Sequence, residues 1–522
     1  MLLRQRAQEL GDRELLSCAL GGGTLRYGEA DLLSDRLAAG LTELGVTRGE
    51  HVLLMMGNRI EFVLTWFALA KLGACHAPVN VDYRGEFLEH VATVARAQTI
   101  VLERRFLATV VASAPRMPAL TQVVVVDPAP GDDPGPLAVT PFGDLLAHDA
   151  TPPAVELSPD DPYAIMFTSG STGRSKGAVI PQAHGHLLTE RNNELLGVGP
   201  ASTYATELPL FHVNAHLTVH GALLAGARAR LEERFSASRW LERVRAAGAT
   251  HTSMLGVMVD FVLRQPLSDA DTDHALEATW MVPCLPELSA RFRARFGVRR
   301  IVTSYGTTEI GMLARRIVAD DEPPSAGQIS SELYEVRLAD ANGEPVADGS
   351  SGEILVRPQL PGTIVRDYLG APEQAVAAFR DLWFHTGDVG RFDPDGNLVF
   401  VDRLQDRIRR RGENVASADL EHTLVGHVAV AEVAVLAVAA DEDGGEDEIK
   451  ACLVVSDPDG FDPEGFWSWC DERLPHFAVP RYLQLVDALP RTPTQKVMKY
   501  ALREPGPNLF DRGAAGLART GA

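Results

Sequence analysis

Short apolar strands alternate with amphipathic helices along the first part of the chain. Residues 32–44 carry apolar side chains at helical spacing and stop at Gly45, and residues 51–56 form a short apolar run. Residues 61–72 are again helical in pattern, and residues 77–81 are extended. Alternation of this kind is typical of parallel sheets covered by helices. The pattern therefore predicts an α/β body.

The composition and pattern of the sequence change further along the chain. Residues 127–162 are rich in Pro, Asp and Gly, which predicts a surface linker leading into an apolar strand at 163–167. From about 331, short strands with Asn-Gly and Asp-Gly turns indicate antiparallel β structure. After about 405, one helix, two strands and a second helix predict a compact unit of about 100 residues.

These patterns predict an α/β fold class with three parts. The first is a large N-terminal body of mixed and parallel sheets covered by helices, with a β-rich sub-unit, over residues 1–402. The second is a small α+β C-terminal domain over residues 403–503. Residues 504–522 are rich in Gly and Ala, which predicts a flexible tail. Five cysteines scattered over 522 residues favour neither a disulfide framework nor a zinc site.

Charge excludes several classes of partner. Subtracting 70 acidic from 49 basic residues gives a net charge of −21, which disfavours nucleic acid and anionic membranes as partners. The most apolar stretch, residues 62–79, is interrupted by Lys71 and His76 and indicates a buried helix and strand, not a membrane span. The first ten residues do not resemble a signal peptide. We therefore expect a cytoplasmic protein, which could form an oligomer.

A glycine-rich loop follows the predicted strand at 163–167. Residues 168–177 read TSGSTGRSKG. Glycines let backbone N–H groups converge on an anion, hydroxyls add donors, and Lys176 adds positive charge. The spacing differs from a Walker A loop because Lys176 is followed by Gly177, which disfavours an unrelated kinase. The segment indicates a triphosphate-binding loop, with a flexible Ser/Gly turn as the structural alternative.

The loop opens a series of six motifs that resembles the adenylate-forming superfamily, which includes acyl-CoA synthetases, firefly luciferase and non-ribosomal peptide adenylation domains. The other five, in the family's order, are LPLFHVNAH (208–216), SYGTTEIG (304–311), WFHTGDVG (383–390), VDRLQDRIRRRGENVASADLE (401–421) and LPRTPTQKVMK (489–499). Within this superfamily, the motifs are most similar to those of the crotonobetaine/carnitine-CoA ligase-like branch. The similar features are TSYG before Glu309, Asp-Arg at 402–403 and RGENV at 411–415.

The resemblance implies an AMP-forming acid–thiol ligase. A small carboxylic acid would attack the α-phosphate of ATP, giving an acyl-adenylate and pyrophosphate, and CoA would then displace AMP. ATP, Mg²⁺ and CoA are the implied cofactors and co-substrates. Transfer to an amine, a carrier protein or another small nucleophile is the alternative within this chemistry. Luciferase-like oxidation and a non-catalytic nucleotide-binding protein are further alternatives, and the latter is disfavoured by the joint presence of Lys496, Glu309 and Asp388.

The resemblance also implies roles for residues of the large body. Glu309 would hold Mg²⁺ together with the Thr168 hydroxyl, since a hard cation prefers oxygen ligands. Thr308 would hydrogen-bond the α-phosphate, and His212 would lie near the acyl carboxylate. Tyr305 would stack on adenine. The remaining expected nucleotide contacts are Ser169, Gly170, Ser171, Thr172, Gly173, Lys176, Gly306 and Thr307.

Further along the chain, Asp388 would bind the ribose hydroxyls, and Arg403 would supply a further contact to the ribose or to a phosphate. Lys496 would act on the α-phosphate. Gly412 would approach the pantetheine arm of CoA. The resemblance also implies that the small C-terminal domain is mobile, with a hinge near 405 at Gln405. Four histidines, His184, His186, His216 and His220, are expected in the core or on the surface, and Lys499 is expected to be a surface charge.

Two departures from the family pattern affect these expectations. Gln495 replaces the glycine that usually precedes the catalytic lysine, which alters the turn more than the ammonium group. Residues 280–284 read WMVPC where many relatives have a Gly-Gly-Ala-Pro stretch near the adenine and the acyl group. The sequence therefore leaves the acid unidentified.

Overall fold

The computed structural model describes residues 2–149, 155–168, 175–319, 322–404, 408–410, 413–415, 417–439, 447–474, 476–491 and 497–513. The chain forms two compact units. Unit 1 comprises Met1–Val336, Val356–Phe384 and Gly396–Leu398, and unit 2 comprises Arg337–Leu355, His385–Asp395 and Val399–Ala522.

The helices of the described residues are α1 (Leu2–Leu10), α2 (Tyr27–Glu43), α3 (Ile60–Leu72), α4 (Glu86–Ala95), α5 (Leu107–Ser113), α6 (Phe142–Leu145), α7 (Gln182–Leu196), α8 (Val213–Ala225), α9 (Trp240–Ala247), α10 (Gly256–Leu263), α11 (Pro286–Phe296), α12 (Pro372–Ala378), α13 (Ser417–Leu424) and α14 (Pro463–Asp471). Short 3₁₀ helices lie at Arg104–Phe106, Ala114–Arg116, His476–Ala478 and Lys499–Leu502.

The first strands are β1 (Glu14–Cys18), β2 (Thr24–Arg26), β3 (His51–Met55), β4 (Cys75–Pro78), β5 (Thr99–Glu103), β6 (Gln122–Val126), β7 (Ala138–Pro141), β8 (Pro162–Thr168), β9 (Lys176–Pro181), β10 (Thr203–Thr206), β11 (Arg228–Leu231), β12 (His251–Leu255), β13 (Ala278–Val282) and β14 (Arg300–Thr307). They are followed by β15 (Gly311–Ile317), β16 (Gln328–Ile329), β17 (Tyr334–Ala339), β18 (Gly352–Pro358), β19 (Asp367–Leu369), β20 (Phe379–Arg380), β21 (Trp383–Phe392), β22 (Leu398–Arg403), β23 (Ile408–Arg410), β24 (Glu413–Val415), β25 (Val430–Ala439), β26 (Asp447–Val455), β27 (Tyr482–Leu485) and β28 (Leu509–Asp511).

Two large sheets build unit 1. Their strand orders are β16-β15-β14-β13-β12-β10-β11-β1-β2 and β19-β9-β8-β4-β3-β5-β6-β7, and each has a parallel centre with antiparallel strands at an edge. The central strands are apolar on both faces because helices cover parallel sheets. In the second sheet Leu53, Ile100 and Val123 pack with Leu88 and Val91 of α4. The predicted mixed and parallel sheets covered by helices are confirmed.

A third sheet has the order β17-β18-β21-β20, with β22 paired to β21. It corresponds to the β-rich segment expected from the Asn-Gly and Asp-Gly turns. The division between the two units falls within several of its strands.

Unit 2 contains the small α+β arrangement that the sequence predicts. Its main sheet has the order β25-β26-β27-β28. Apolar side chains from α13 and α14 pack on the strands, among them Leu420, Phe466 and Trp467 with Val435 and Leu453. The short antiparallel pair β23 and β24 adds Ile408 and Val415 to the same core.

Two segments differ from the sequence-based expectation. Residues 138–145 of the expected linker form β7 and α6, because β7 completes the edge of a parallel sheet through main-chain pairing with β6. The expected tail from 504 includes β28, in which Phe510 pairs with Leu483 of β27. In both places tertiary pairing outweighs a composition typical of loops. Within the described residues, no helix combines the length and apolar character that a bilayer span requires.

Candidate active site

A tight hairpin between β14 and β15 holds Glu309. The register shifts between Tyr305 and Gly306, and a Cβ at Gly306 would lie 1.7 Å from the carbonyl oxygen of Gly311. Only glycine fits at such a close backbone approach. The Glu309 N–H donates to Thr307 Oγ1 at 3.2 Å, and the Glu309 carbonyl accepts the Val365 N–H at 2.6 Å. These contacts fix the backbone that carries the Glu309 carboxylate.

The β8–β9 hairpin brings the ends of the glycine-rich loop together. Thr168 pairs with Lys176 in antiparallel register. The Thr168 hydroxyl donates to Glu309 Oε1 at 3.1 Å, so the two residues expected to hold a metal are in contact across two sheets of unit 1. The loop residues between them that the sequence analysis singled out lie outside the described residues, namely Ser169, Gly170, Ser171, Thr172 and Gly173.

This pair of oxygens fits the chemistry of Mg²⁺. The described residues hold no group of three or more His, Cys, Asp or Glu side chains arranged as metal ligands, so Glu309 and Thr168 do not belong to a dedicated protein cage. Mg²⁺ is usually bound through one or two carboxylates together with substrate phosphates and water. The hydroxyl can donate to the carboxylate and still present a lone pair to a cation.

Tyr368 joins this group although no sequence motif contains it. Its hydroxyl donates to Glu309 Oε1 at 3.4 Å, and the Lys176 ammonium lies 4.9 Å from the centre of its ring. Burial, followed by the negative charge of Glu309, raises the pKa of Tyr368, which therefore remains a donor. Tyr368 reaches the site because β19 pairs with β9, a contact without a local sequence signal.

His212, the histidine expected near the acyl carboxylate, differs in burial from its neighbour His216. His212 immediately precedes α8, is partly exposed, and has its ring centre 4.8 Å from that of Phe211. One turn later, His216 is buried and its Nε2 lies 2.8 Å from the Leu210 carbonyl oxygen. Burial lowers the pKa of His216 to about 4.

The expectation for the other histidines is confirmed. His184 is buried and bonded through Nδ1 to the Thr363 carbonyl, and burial lowers its pKa to about 4. Burial also lowers the pKa of His220 to about 3, whereas His186 is exposed. Burial therefore keeps His184 and His220 neutral in the physiological pH range.

Asp388 and Arg403, the pair expected at the ribose, lie together in unit 2. The Arg403 Nε is 3.5 Å from Asp388 Oδ1, and the Asp388 side chain is buried while that of Arg403 is half-exposed. The Asp388 N–H donates to Thr386 Oγ1 at 3.0 Å. A half-exposed arginine beside a buried carboxylate can donate further hydrogen bonds to a hydroxyl or a phosphate.

A buried contact between His385 and Glu353 supports the turn before Asp388. The His385 Nδ1 lies 2.9 Å from Glu353 Oε2, and both side chains are 9% exposed. Glu353 Oε1 also accepts the N–H of Gly387 at 3.2 Å. Gly387 has φ 69°, a conformation that glycine adopts without strain. The sequence motif contained His385 and Gly387, but no local pattern connected them to Glu353.

Three expected functional residues of the C-terminal part, Gln405, Gly412 and Lys496, lie outside the described residues. Tyr305 is buried at the end of β14, and Thr308 lies in the turn beside Glu309. Trp280, from the segment that departs from the family pattern, is buried in β13 and donates from its indole Nε1 to Ser304 Oγ at 3.0 Å.

Comparisons with known proteins agree with this arrangement. Residues 3–369 match the AMP-binding enzyme family, and residues 419–496 match the AMP-binding enzyme C-terminal domain. A crotonobetaine/carnitine–CoA ligase of Salmonella agona (strain SL483) is 30% identical over 521 residues, covering 96% of this chain and 98% of that protein.

Solved structures show the same fold. The anthranilate CoA ligase AuaEII, in complex with anthranoyl-AMP, superposes with a TM-score of 0.84 at 23% identity, covering 99% of this chain and 97% of that one. The O-succinylbenzoate CoA synthetase MenE of Bacillus subtilis, in complex with ATP and a magnesium ion, gives a TM-score of 0.81 at 23% identity, covering 96% and 99%.

The expected resemblance, the ligase class, and the use of ATP, Mg²⁺ and CoA are therefore confirmed at the level of the family. The chain belongs to the AMP-binding enzyme family, as an adenylate-forming acid–CoA ligase.

Proposed function

We propose that this chain activates a small carboxylic acid with ATP and transfers the acyl group to CoA, using the residues described above. The observation that carries the assignment of the site is the 3.1 Å contact between the Thr168 hydroxyl and the Glu309 carboxylate, with Lys176 and Tyr368 beside it. This group offers negative oxygens for a cation and an ammonium for phosphate within one small region of unit 1.

In the first step an oxygen of the acid forms a bond to the α-phosphorus of ATP, and the bond to pyrophosphate breaks. Both reactants are anions, so the protein must offset their repulsion and the charge that builds up at phosphorus. Mg²⁺, when held by Glu309 and Thr168, supplies charge neutralisation at the phosphates. Lys176 and the glycine-rich loop bind the phosphates, and Thr308 donates to the α-phosphate.

The other residues orient the substrates. Tyr305 stacks on adenine beside Gly306 and Thr307, and Asp388 with Arg403 binds the ribose. His212 lies near the acyl carboxylate, and Lys496 reaches the α-phosphate during adenylate formation. In the second step the CoA sulfur bonds to the acyl carbon, AMP leaves, and the thiol proton passes to water, with Gly412 beside the pantetheine arm.

The identity of the acid is tested by measuring pyrophosphate release over a panel of carboxylic acids, with and without CoA. Crotonobetaine and carnitine, which appear in the names of the relatives, are the first candidates in that panel. We expect a cytoplasmic enzyme. Its net charge of −21 disfavours nucleic-acid and membrane partners.

Replacing Tyr368 with leucine is expected to raise the KM for ATP about tenfold, because the Lys176 ammonium loses the aromatic face beneath it. Tyr368→Phe keeps that face and removes only a long hydrogen bond, so its KM should stay within about threefold of the wild type. Both values come from acid-dependent pyrophosphate release. An equal rise in KM in the two variants would show that the ring does not act on Lys176.

Replacing Gln405 with proline is expected to slow thioester formation selectively. Proline fixes φ near −65° and restricts the preceding residue, here Leu404, whose N–H donates to the Gly387 carbonyl at 2.8 Å. If Gln405 is the pivot between the two half-reactions, the variant is held in the adenylate-forming arrangement. Pyrophosphate release and thioester formation are measured separately, and unchanged rates for both would rule out a hinge at this residue.

A further inference from the structure

The Lys499 side chain is partly buried among polar groups, whereas the sequence predicts a surface charge. Its side chain is 17% exposed. The Nζ atom donates to Ser417 Oγ at 2.6 Å and lies 2.9 Å from Glu421 Oε1. Burial raises the pKa of Glu421, and the positive charge of Lys499 acts in the opposite direction. The expectation is wrong because both partners lie on α13, 78 or more residues away in sequence.

The contacts of Lys499 continue beyond α13. Ser417, the first residue of that helix, is fully buried, and it donates from its N–H and its hydroxyl to Asp402 Oδ2 at 2.6 and 2.9 Å. Asp402 is 5% exposed and lies in β22, one residue before Arg403. Asp402 and Ser417, which are buried, and Lys499 and Glu421, which are partly buried, thus form one chain of hydrogen bonds and ion pairs, which we call the anchor.

The anchor is attached to the base of a loop. Arg491 pairs with Val497 in an antiparallel bridge, and the Met498 N–H donates to the Pro490 carbonyl at 2.8 Å. These contacts close the base of the segment that contains Lys496. Lys499 is the second residue after Val497, so its ammonium group fixes the C-terminal side of this base to α13.

A second lysine, Lys450, binds the residues that follow Lys499 in the chain. Lys450, in β26, is 2% exposed and donates from Nζ to the carbonyls of Leu502 and Glu504 at 2.8 and 2.9 Å. The chain contains only five lysines among 49 basic residues, and two of them hold residues 499–504.

We propose that Lys499 is a positioning residue, which holds the base of the loop so that Lys496 can reach the α-phosphate. The inference rests on the proposed function for the role of Lys496. Lys496 precedes Lys499 by three residues, and three residues of extended chain span at most about 10 Å, so the position of Lys499 limits where Lys496 can reach. A misplacement of about 1 Å in a catalytic group can cost about 100-fold in rate.

The test compares Lys499→Met and Lys499→Arg with Arg512→Met. Arg512 is the matched control, because its side chain is 20% exposed and pairs with Asp471 in the same unit without touching the anchor. Backbone hydrogen exchange is measured first, on peptides that contain Val497–Leu502 and Ser417. We expect exchange at least tenfold faster in Lys499→Met, near wild type in Lys499→Arg, and unchanged in Arg512→Met.

The kinetic arm separates the two half-reactions. Lys499→Met should lower the kcat of adenylate formation tenfold or more with little change in the KM for ATP, whereas the reaction of a ready-made acyl-adenylate with CoA stays near the wild-type rate. Lys499→Arg should recover most of the lost rate. Unchanged hydrogen exchange in Lys499→Met overturns the proposal whatever the enzyme activates.

If Lys499→Met shows faster hydrogen exchange but unchanged adenylate formation, the base of the loop does not position a group for this step. That result also overturns the proposal. An equal loss in both half-reactions would indicate a purely structural role. If the wild-type protein forms no adenylate from any acid, the proposed function fails, and the hydrogen-exchange result still decides whether Lys499 anchors the loop.

Discussion

Replacing Glu309 with glutamine is expected to lower the rate of adenylate formation by about 100-fold or more, as for the loss of a group that stabilises transition-state charge. The amide keeps the shape of the side chain and its hydrogen-bonding oxygen, so the Thr168 and Tyr368 hydroxyls retain an acceptor. It loses the negative charge that a hard cation prefers. The backbone contacts to Thr307 and Val365 do not involve the side chain, and the turn should keep its conformation.

The measurement is pyrophosphate release as a function of Mg²⁺ concentration. Glu194→Gln is a suitable control, since Glu194 is a half-exposed carboxylate of the same unit, paired with Arg191 and Arg315. Its removal should change the rate by no more than about twofold, in line with the small contribution of exposed ion pairs. Near wild-type pyrophosphate release by Glu309→Gln at saturating Mg²⁺ would show that Glu309 does not hold the metal.

The second large effect is expected for Lys496→Ala, which should abolish adenylate formation and leave the second half-reaction largely intact. Lys496 is proposed to act only where charge builds up on the α-phosphate, and an interaction made only in the transition state affects only the step that contains it. Supplying a ready-made acyl-adenylate with CoA bypasses that step.

Two measurements on the same preparation of Lys496→Ala test whether Lys496 acts only in adenylate formation. Pyrophosphate release should fall by about 1,000-fold, at the upper end for a single electrostatic group. Thioester formation from the supplied adenylate should remain near the wild-type rate. A comparable loss of both activities would instead assign Lys496 a role in folding or in binding the adenylate.

Local sequence patterns predicted the elements that place the site. The helical spacing of residues 32–44 and 61–72 and the apolar run at 51–56 correspond to α2, α3 and β3. The glycine-rich segment joins β8 to β9, and Glu309 lies in the turn after β14. These predictions succeeded because periodicity and turn residues act over a few neighbouring positions.

Contacts between distant residues could not be predicted in this way. Tyr368 reaches Glu309 only because β19 pairs with β9, and Glu353 meets His385 only because strands of one sheet adjoin. Lys499 was expected at the surface, since a single charged residue after a loop gives no indication of a buried partner 82 positions earlier. Such pairs are set by tertiary structure, which local propensity does not determine.

The central claim is that the chain forms an acyl-adenylate from ATP and a carboxylic acid and passes the acyl group to CoA. The most direct test incubates the protein with ATP, Mg²⁺ and each acid of a panel, and measures pyrophosphate, AMP and thioester in the same reaction. We predict that for at least one acid, pyrophosphate release depends on that acid, and that AMP and an acyl-CoA thioester appear in equal amounts when CoA is present. Formation of ADP, or pyrophosphate release that does not depend on any acid, would contradict the account.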